Sequence, residues 1–302
     1  MVAIVFGCCG FIGRNLVRGL LIRGYEVIGV YNHSPPSESI PERYANMIHF
    51  CPFDSVIDYL EKSEKPSVCF DFAWNGTSGT SRSDINLQLS NITTRFFIIQ
   101  LCHDYGMKYI GAGSIMEKES IISTYNDCSH PNYSTFYGHT KYLAHAYSKA
   151  LANELNVCFI WGRITNSYGP GEKSHRLLCD IMARVISGKP LTFSSGAQLY
   201  DFIYIDDLVN AFILLSENGV ANKDYVVGSG CPRPLREYLT IVNSAIAPEV
   251  DFSFGEDPDI SKFLSIDEYD ITKLREDTGY KPLVTFEEGI IRTFEYYKKC
   301  SQ

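Results

Sequence analysis

A glycine-rich segment close to the N-terminus constrains the fold more than any other feature of the chain. Gly7, Gly10 and Gly13 follow an apolar run at 2–6 and precede an amphipathic segment at 14–23. This order of strand, turn and helix is typical of a dinucleotide-binding unit, in which the glycines permit a tight turn, close approach of a pyrophosphate and close helix packing. The alternative is a turn without a ligand. The residues predicted to bind the cofactor here are Gly7, Gly10, Phe11, Ile12 and Gly13.

Short apolar runs alternate with amphipathic segments through the first half of the chain. This alternation is typical of a parallel sheet whose strands are joined by helices. We therefore predict an α/β fold with a doubly wound parallel Rossmann sheet. The predicted strands are 2–6, 25–31, 47–51, 68–73, 109–112 and 157–164, with a further run at 225–227. The predicted helices are 14–23, 56–61, 83–105, 137–154, 174–187 and 208–215.

The pattern changes after residue 164, where turn-rich and proline-bearing segments replace the regular alternation. No internal repeat or low-complexity linker separates the two parts, so we predict a smaller C-terminal lobe interleaved with the sheet domain. We expect a dinucleotide-binding domain at 1–168, whose sheet is completed by about 201–228. The substrate-binding lobe is expected at 169–200 and 229–302.

Charge and composition argue against several classes of partner. The 302 residues carry a formal net charge of −8, which argues against a nucleic acid or an anionic membrane as the main partner. No stretch reaches the roughly 18 apolar residues of a membrane span, and the N-terminus lacks the basic region of a signal peptide. Ten cysteines are scattered without metal-ligand spacing, which favours free thiols in a cytoplasmic protein.

Two adjacent carboxylates, Asp206 and Asp207, precede the predicted helix at 208–215. A pair of this kind is also found in metal sites, but no third ligand is evident in the sequence. We therefore predict no metal site and interpret the pair as an N-terminal cap of the helix.

A tyrosine and a lysine four residues apart, Tyr137 and Lys141, lie near the start of a predicted helix. Residues at this spacing share one helix face, and a nearby cation lowers the pKa of a tyrosine from about 10. Upstream, Ser114 follows a predicted strand, at the sheet edge where parallel sheets bind ligands. We predict that these three residues perform acid/base catalysis while a nicotinamide transfers hydride, with Lys141 also binding the nicotinamide ribose. The alternative for Tyr137 and Lys141 is a surface pair.

The end of the second predicted strand bears on the choice between NAD and NADP. A carboxylate there would bind the ribose 2′-hydroxyl of NAD, but residues 30–34 are Val-Tyr-Asn-His-Ser. This favours NADP(H), with NAD(H) as the alternative. Arg14 is expected to neutralise a 2′-phosphate or to be a solvated charge, and Asn32 to hydrogen-bond that phosphate. Asp54 is expected to accept from the adenine amine or to cap the next helix, and Ala73 to pack on the cofactor.

Taken in order, the motifs resemble those of extended short-chain dehydrogenases/reductases that act on nucleotide sugars. Besides the glycine turn and Tyr137-x-x-x-Lys141, they include Tyr-Gly-Pro-Gly at 168–171 and Asp-Phe-Ile-Tyr-Ile-Asp-Asp at 201–207. The similarity extends over nearly the whole chain. It implies that Ser114 is the catalytic hydroxyl, Tyr137 the acid/base and Lys141 the residue that tunes it.

Within this family, the residues after the catalytic serine distinguish the reactions. The 4,6-dehydratases carry Asp-Glu there, and the 3,5-epimerase/reductases carry a cysteine two residues after the serine. Ile115 and Met116 occupy these positions here, which argues against dehydration and double epimerisation, although 174–176 resembles the histidine segment of the latter enzymes. What remains is hydride transfer at one sugar carbon. In this respect the chain is similar to nucleotide-sugar 4-ketoreductases of the CDP-abequose synthase type.

We therefore predict NADPH-dependent reduction of a keto group, at C4, of a nucleotide-linked 4-keto-6-deoxy sugar in surface-polysaccharide biosynthesis. The alternatives are a C4 epimerase with tightly bound NAD and an NADP-sensing regulatory protein on the same fold. The expected partner is a nucleotide-diphosphate sugar, and the resemblance implies a homodimer built on the helices at 83–105 and 137–154. The alternative is that the apolar residues of these helices belong to the core of one chain. Arginines are the candidates for the diphosphate. Substrate contacts are predicted at Trp74, Thr77, Asn166, His175, Arg176 and Arg233.

Overall fold

The computed structural model describes residues 1–36, 40–126, 135–174, 176–256 and 264–300. The strands in chain order are β1 (Val2–Phe6), β2 (Glu26–Tyr31), β3 (Ile48–Pro52), β4 (Val68–Asp71), β5 (Lys108–Ser114), β6 (Phe159–Ile164), β7 (Asn166–Tyr168), β8 (Leu191–Phe193), β9 (Leu199–Tyr200), β10 (Phe202–Tyr204), β11 (Asp224–Val227), β12 (Arg233–Pro234) and β13 (Phe252–Phe254). The helices are α1 (Phe11–Ile22), α2 (Val56–Leu60), α3 (Ile85–Tyr105), α4 (Met116–Tyr125), α5 (Phe136–Glu154), α6 (Leu177–Ile186), α7 (Ile205–Asn218), α8 (Leu235–Ile246), α9 (Thr272–Thr278) and α10 (Phe286–Cys300).

The centre of the molecule is a parallel sheet in the order β3-β2-β1-β4-β5-β6-β11. The strand order reverses between β1 and β4, and ligands of such sheets bind in the crevice outside the carboxyl ends at this point. The inner strands β1 and β4 are buried at every position, as expected where helices cover both faces of a sheet. The predicted α/β fold, with its parallel Rossmann sheet, is confirmed.

Each face of the sheet has its own apolar core. Successive side chains of a strand point to opposite faces. In β1, Ala3 and Val5 accordingly join the cluster formed with α1 and α7. Ile4 and Phe6 join the cluster on the other side, which includes the buried residues of α3. Helices α3 and α5 pack against each other on that second face.

A smaller lobe is built from segments that leave and rejoin the sheet domain. Three two-stranded pairs, β7 with β10, β9 with β12 and β8 with β13, lie outside the central sheet. Helix α10 packs against α6 and α8 in this part of the molecule. Because β11 returns to the central sheet between these segments, the lobe is interleaved with the sheet domain, as predicted.

The prediction that Asp206 and Asp207 cap the following helix is wrong. The helix that they were expected to cap begins at Ile205, and its N-cap residue, Tyr204, makes no side-chain cap hydrogen bond. Both aspartates lie in the first turn of α7, where the carboxylate of Asp207 accepts hydrogen bonds from the backbone amides of Leu283 (2.9 Å) and Val284 (3.0 Å). Asp207 therefore ties the segment before α10 to the sheet domain.

Helix α4 was not predicted, because its sequence lacks an apolar stripe and reads Met-Glu-Lys-Glu-Ser at its start. Among the described residues, no helix combines the length and the apolar character needed to cross a membrane.

Candidate active site

A cleft of about 530 Å³ opens at the carboxyl ends of the central strands, beside the N-terminus of α1. It brings together residues that lie far apart in the chain, from the glycine turn to the segment before α6. Twelve of the predicted catalytic, cofactor-binding and substrate-binding residues line it: Gly7, Gly10, Phe11, Ile12, Gly13, Trp74, Thr77, Ser114, Tyr137, Lys141, Asn166 and Arg176.

The glycine turn has the backbone that a dinucleotide requires. Gly7 has φ +78°, and a Cβ there would lie 2.7 Å from the backbone nitrogen of Ala73. A Cβ on Gly13 would overlap the carbonyl oxygen of Gly7, so only glycine lets α1 sit this close to the turn. Gly10 caps α1 without a side-chain hydrogen bond, which leaves the first amides of the helix available to an anion. The turn therefore fits a pyrophosphate.

Ser114 and Tyr137 meet inside the cleft. Ser114 is the last residue of β5, and Tyr137 lies in the first turn of α5 with only 7% of its surface exposed. The backbone amide of Met116 donates to Ser114 Oγ at 3.2 Å, which fixes the hydroxyl at the sheet edge. A hydrogen bond links the side chains of Ser114 and Tyr137. Together they present two hydroxyl groups to one point in the cleft.

Lys141 lies on the same face of α5, but its ammonium is directed at other groups. Lys141 Nζ donates to the carbonyl oxygen of Ala112 at 2.8 Å and lies 3.8 Å from the centre of the Trp74 ring. Burial, aided by the charge of Arg95, lowers the pKa of Lys141 to about 7. The lysine therefore carries less positive charge at neutral pH than an exposed lysine does.

The pKa of Tyr137 moves in the direction opposite to the one predicted. Burial raises it, and the charges of Arg176 and Arg82 and a hydrogen bond from Ser114 only partly oppose this rise. In the protein alone, Tyr137 is therefore a neutral phenol at neutral pH and is ready to donate a proton.

A buried carboxylate holds the end of β5 in place. Glu117, fully buried in α4, accepts a hydrogen bond from the Ser114 backbone amide at 2.9 Å. The same carboxylate accepts from Trp161 Nε1 at 3.1 Å and Arg163 Nε at 3.0 Å, and His145 Nδ1 lies 3.4 Å away. A charge this deeply buried is tolerated because all these donors converge on it. Glu117 thereby fixes the backbone that carries Ser114.

A buried ion pair supports the opposite wall of the cleft. The guanidinium of Arg95 grips Asp71 with Nε at 2.8 Å and Nη2 at 2.9 Å, and Tyr109 donates to the same carboxylate at 2.9 Å. Arg95 also donates to the carbonyl oxygen of Ala73, and its guanidinium carbon lies 5.1 Å from the Trp74 ring centre. The ion pair therefore positions the residues that follow β4.

Two amide side chains of α3 hold the loop that carries Trp74. Trp74 Nε1 donates to Gln88 Oε1 at 3.0 Å, and Gln88 Nε2 donates to the carbonyl oxygen of Gly76 at 2.8 Å. Asn91 accepts from the backbone amide of Asn75 at 2.8 Å and donates to its carbonyl oxygen at 3.1 Å. The Trp74 ring consequently stands edge-to-face with Tyr137, with the ring centres 6.0 Å apart.

A glycine turn for a dinucleotide and a serine-tyrosine pair in one cleft agree with a family match that covers most of the chain. The model of the NAD dependent epimerase/dehydratase family matches residues 3–228. The chain belongs to this family. Its members include nucleotide-sugar epimerases and dehydratases.

Proteins similar to this chain include a nucleotide-sugar synthase, an epimerase and a dehydratase. The chain is 24% identical to CDP-abequose synthase of Salmonella typhimurium, with 95% of each chain covered. UDP-glucose 4-epimerase from Thermotoga maritima is 24% identical in sequence to this chain. Its crystal structure matches the fold with a TM-score of 0.80, with both chains fully covered. The structure of dTDP-glucose 4,6-dehydratase from Bacillus anthracis, solved with NAD, is 18% identical, with a TM-score of 0.77 and coverage of 99% and 97%.

The remaining predicted site residues lie around the cleft or away from it. Arg14 is turned towards the 168–171 segment and donates to the carbonyl oxygen of Gly171. Asn32 is exposed in the bend after β2, and Asp54 is exposed in a 3-10 turn after β3. Helix α2 is not capped by Asp54, because its N-cap is Ser55, which makes no side-chain cap hydrogen bond.

Ala73 is half-buried behind Trp74, and its backbone amide donates to Asp71 Oδ1 at 3.2 Å. Arg233 lies in β12 with its guanidinium carbon 5.2 Å from the ring centre of Tyr238, and it is not among the residues that line the cleft. His175 lies outside the described residues.

Several residues of the cleft were missed at the sequence level. Arg82 and Glu119 line it beside Tyr137, and no motif marks either of them. Gln88, Asn91 and Arg95 do not line the cleft but hold the residues after β4, and they carried a detectable signal, because they are polar residues spaced three and four apart on the buried face of α3. Buried polar residues at helical spacing indicate that a helix holds a neighbouring loop by hydrogen bonds.

Proposed function

We propose that the protein reduces the C4 keto group of a nucleotide-linked 4-keto-6-deoxy sugar, with NADPH as the hydride donor. The observation that carries the proposal is the state of Tyr137. Burial raises the pKa of its phenol, and the Ser114 hydroxyl lies beside it in the cleft. Reduction of a ketone requires a proton donor at the developing alkoxide, and a neutral phenol provides one.

Three residues of the chain would have separate roles in such a reduction. A bound nicotinamide would supply the hydride to the sugar carbon. Ser114 would donate a hydrogen bond to the carbonyl oxygen, which stabilises the negative charge that develops there. Tyr137 would pass its phenolic proton to this oxygen. Lys141, which already lies beside Trp74 and the end of β5, would bind the nicotinamide ribose.

The positions after Ser114 support hydride transfer without elimination of water. Ile115 is buried, and Met116 lines the cleft where the dehydratases of the family are expected to carry their Asp-Glu pair. Neither side chain can exchange a proton with the sugar. This difference separates the proposal from the dehydratase among the structural relatives.

The exposed residues after β2 support NADPH as the cofactor. No carboxylate occupies 30–34, and Asn32 is exposed at the end of the strand. Replacing Asn32→Asp is expected to lower kcat/KM for NADPH by at least about tenfold, roughly 1.4 kcal/mol, because a carboxylate repels a 2′-phosphate and accepts from a 2′-hydroxyl. The measurement is the ratio of kcat/KM for NADPH and NADH.

Asn218→Asp provides the control, because it adds the same charge at an exposed position at the end of α7. An Asn32→Asp variant with an unchanged cofactor ratio would mean that this bend does not contact the 2′ position.

A C4 epimerase with retained NAD is the second candidate. It is favoured by the full-length similarity to UDP-glucose 4-epimerase, which has the same fold. The distinguishing experiment follows NADPH consumption with a panel of nucleotide-linked 4-keto-6-deoxy sugars. A reductase consumes one NADPH per sugar. Interconversion of intact nucleotide sugars without added cofactor would establish the epimerase instead, and NADPH binding without turnover of any sugar would favour a regulatory protein.

An apolar surface on α3 and α5 supports a homodimer. These helices pack side by side, and large apolar residues on both of them are exposed. Such patches on a folded domain mark interaction sites, and the family resemblance implies a four-helix interface between two copies. The exposed residues are Ile85, Leu89, Tyr142, Leu143 and Tyr147.

Tyr147→Lys is expected to convert the dimer into a monomer, because it places a charge at the most exposed of these side chains, 55% accessible in the single chain. Light scattering after size-exclusion chromatography measures the mass directly. Tyr125→Lys, at a side chain 83% exposed at the end of α4, should leave the mass unchanged. A wild-type protein that elutes as a monomer would contradict this part of the proposal.

A further inference from the structure

The guanidinium of Arg82 lies against the phenol ring of the residue that donates the proton. We propose that Arg82 is the positioning residue that keeps the proton of Tyr137 exchangeable, by holding a positive charge on the face of its ring. The inference rests on the proposed function only in taking Tyr137 as the proton donor. The sequence pattern predicts that Lys141 acts on the acidity of Tyr137. We infer that Arg82, which follows β4, has this role.

The contacts of Arg82 direct its charge at the tyrosine. Its guanidinium carbon lies 4.4 Å from the centre of the Tyr137 ring, within the range of a cation–π contact. The other side of the group donates to the sulfur of Met116. Arg82 Nε is buried and has no hydrogen-bond partner among the described residues. A cation with so few acceptors is poorly neutralised, so its field acts strongly on the ring beside it.

Lys141 is less suited to this task in the protein alone. Its ammonium is held by the Ala112 carbonyl oxygen and by the Trp74 ring rather than by the phenol. With a pKa of about 7 it loses much of its charge near neutral pH. An arginine stays protonated throughout this range, so the charge of Arg82 persists where that of Lys141 fades.

The other charged groups around Tyr137 come from the segment before α6 and from α4. Arg176, which precedes α6, opposes the rise of the Tyr137 pKa together with Arg82, whereas Glu117 of α4 adds to it. Arg176 is exposed, so salt and water screen its charge more than that of the half-buried Arg82. Glu119 of α4 faces Arg82; burial raises the pKa of this carboxyl, and the charge of Arg82 opposes that rise.

The consequence for catalysis follows from the strength of the acid. A buried phenol without a nearby cation would hold its proton too tightly to transfer it well, because acid catalysis works best when the pKa of the donor lies near the working pH. Arg82 offsets part of the burial effect. It touches the ring of the tyrosine and needs no contact with the substrate for this role.

The test titrates Tyr137 without substrate or cofactor, so its result does not depend on the proposed reaction. The absorbance of tyrosinate is followed against pH in the wild type and in Tyr137→Phe, and the difference isolates Tyr137. The same pair is measured with Arg82→Gln. We expect the midpoint of Tyr137 to rise by at least about one pH unit, a tenfold change in its ionisation equilibrium. Circular dichroism at each pH confirms that the proteins stay folded.

Three further variants make the outcome specific. Arg82→Lys retains a charge and should recover most of the shift. Arg236→Gln removes an exposed arginine that lies 4.5 Å from the ring centre of Phe254, outside the cleft, and should leave the midpoint unchanged. Lys141→Met should move the midpoint less than Arg82→Gln does. An unchanged midpoint in Arg82→Gln, or a larger shift in Lys141→Met, would overturn the proposal.

The pH profile provides a second readout once a sugar substrate is in hand. Reduction needs the protonated phenol, so kcat should fall as pH rises through the pKa of Tyr137. Because Arg82→Gln raises this pKa, the fall of kcat on the alkaline side should move to higher pH, by as much as the Tyr137 midpoint moves in the titration. The highest value of kcat should be lower than in the wild type.

Discussion

Tyr137→Phe is expected to lower kcat for the reduction by at least about 10³-fold, within the range that a positioned general acid contributes. The substitution removes one oxygen and leaves a ring of the same shape, so the buried first turn of α5 and the contacts of Trp74 and Arg82 with the ring are kept. The loss should therefore appear in kcat and leave the affinity for NADPH within about twofold.

The matched control is Tyr142→Phe, which removes the hydroxyl of an exposed tyrosine on the same helix. It should retain wild-type activity. A Tyr137→Phe enzyme that keeps more than a tenth of the wild-type kcat would mean that another group, or water, protonates the sugar oxygen.

Arg95→Leu is expected to reduce the free energy of unfolding by about 3–5 kcal/mol, because it leaves the carboxylate of Asp71 buried without its cation. Both side chains are nearly inaccessible, at 2% and 1%. From the part of the chain that the structure describes, the carboxylate would then accept hydrogen bonds from Tyr109 and from the Ala73 amide alone. Urea denaturation followed by circular dichroism measures the change.

Arg23→Leu supplies the comparison. It removes an ion pair with Glu217 whose side chains are 42% and 29% exposed, so the cost should stay below about 1 kcal/mol. The double replacement Asp71→Leu with Arg95→Leu removes both buried charges and should recover part of the loss. Equal costs for Arg95→Leu and Arg23→Leu would show that the buried pair does not stabilise the fold.

The regular part of the fold could be predicted from the sequence because its signals are local. Apolar runs bounded by turns place the central strands within two residues of their observed ends, as in β1 at Val2–Phe6. The glycine turn sets the position of α1 because only glycine fits at Gly7 and Gly13. Helix α4 has no apolar stripe or glycine that would mark it. Its buried residues Glu117 and Ser120 are polar, so the sequence does not show which face is buried.

Residues of the candidate site could be predicted only where they lie together on one helix or in one turn, because their spacing is then visible in the sequence. Tyr137 and Lys141 share a helix face and are visible as a pair, but the groups that surround them come from other elements. Whether Lys141 faces the phenol depends on Trp74 and Ala112, which are distant in the chain. Arg82 lies in a short 3-10 helix, Gly79–Ser83, that Gln88 holds by hydrogen bonds to its flanking and internal carbonyl oxygens, so no spacing rule leads to it.

Reduction by NADPH places a hydrogen atom of the nicotinamide on the sugar, and isotope transfer measures the origin of that atom. The enzyme is incubated with a nucleotide-linked 4-keto-6-deoxy sugar and NADPH that carries deuterium at the transferred position of the nicotinamide. We expect one deuterium at C4 of the product, seen by mass spectrometry and NMR, with one NADP⁺ formed per sugar. A product without deuterium, or a nucleotide sugar epimerised at C4 with no net oxidation of NADPH, would contradict it.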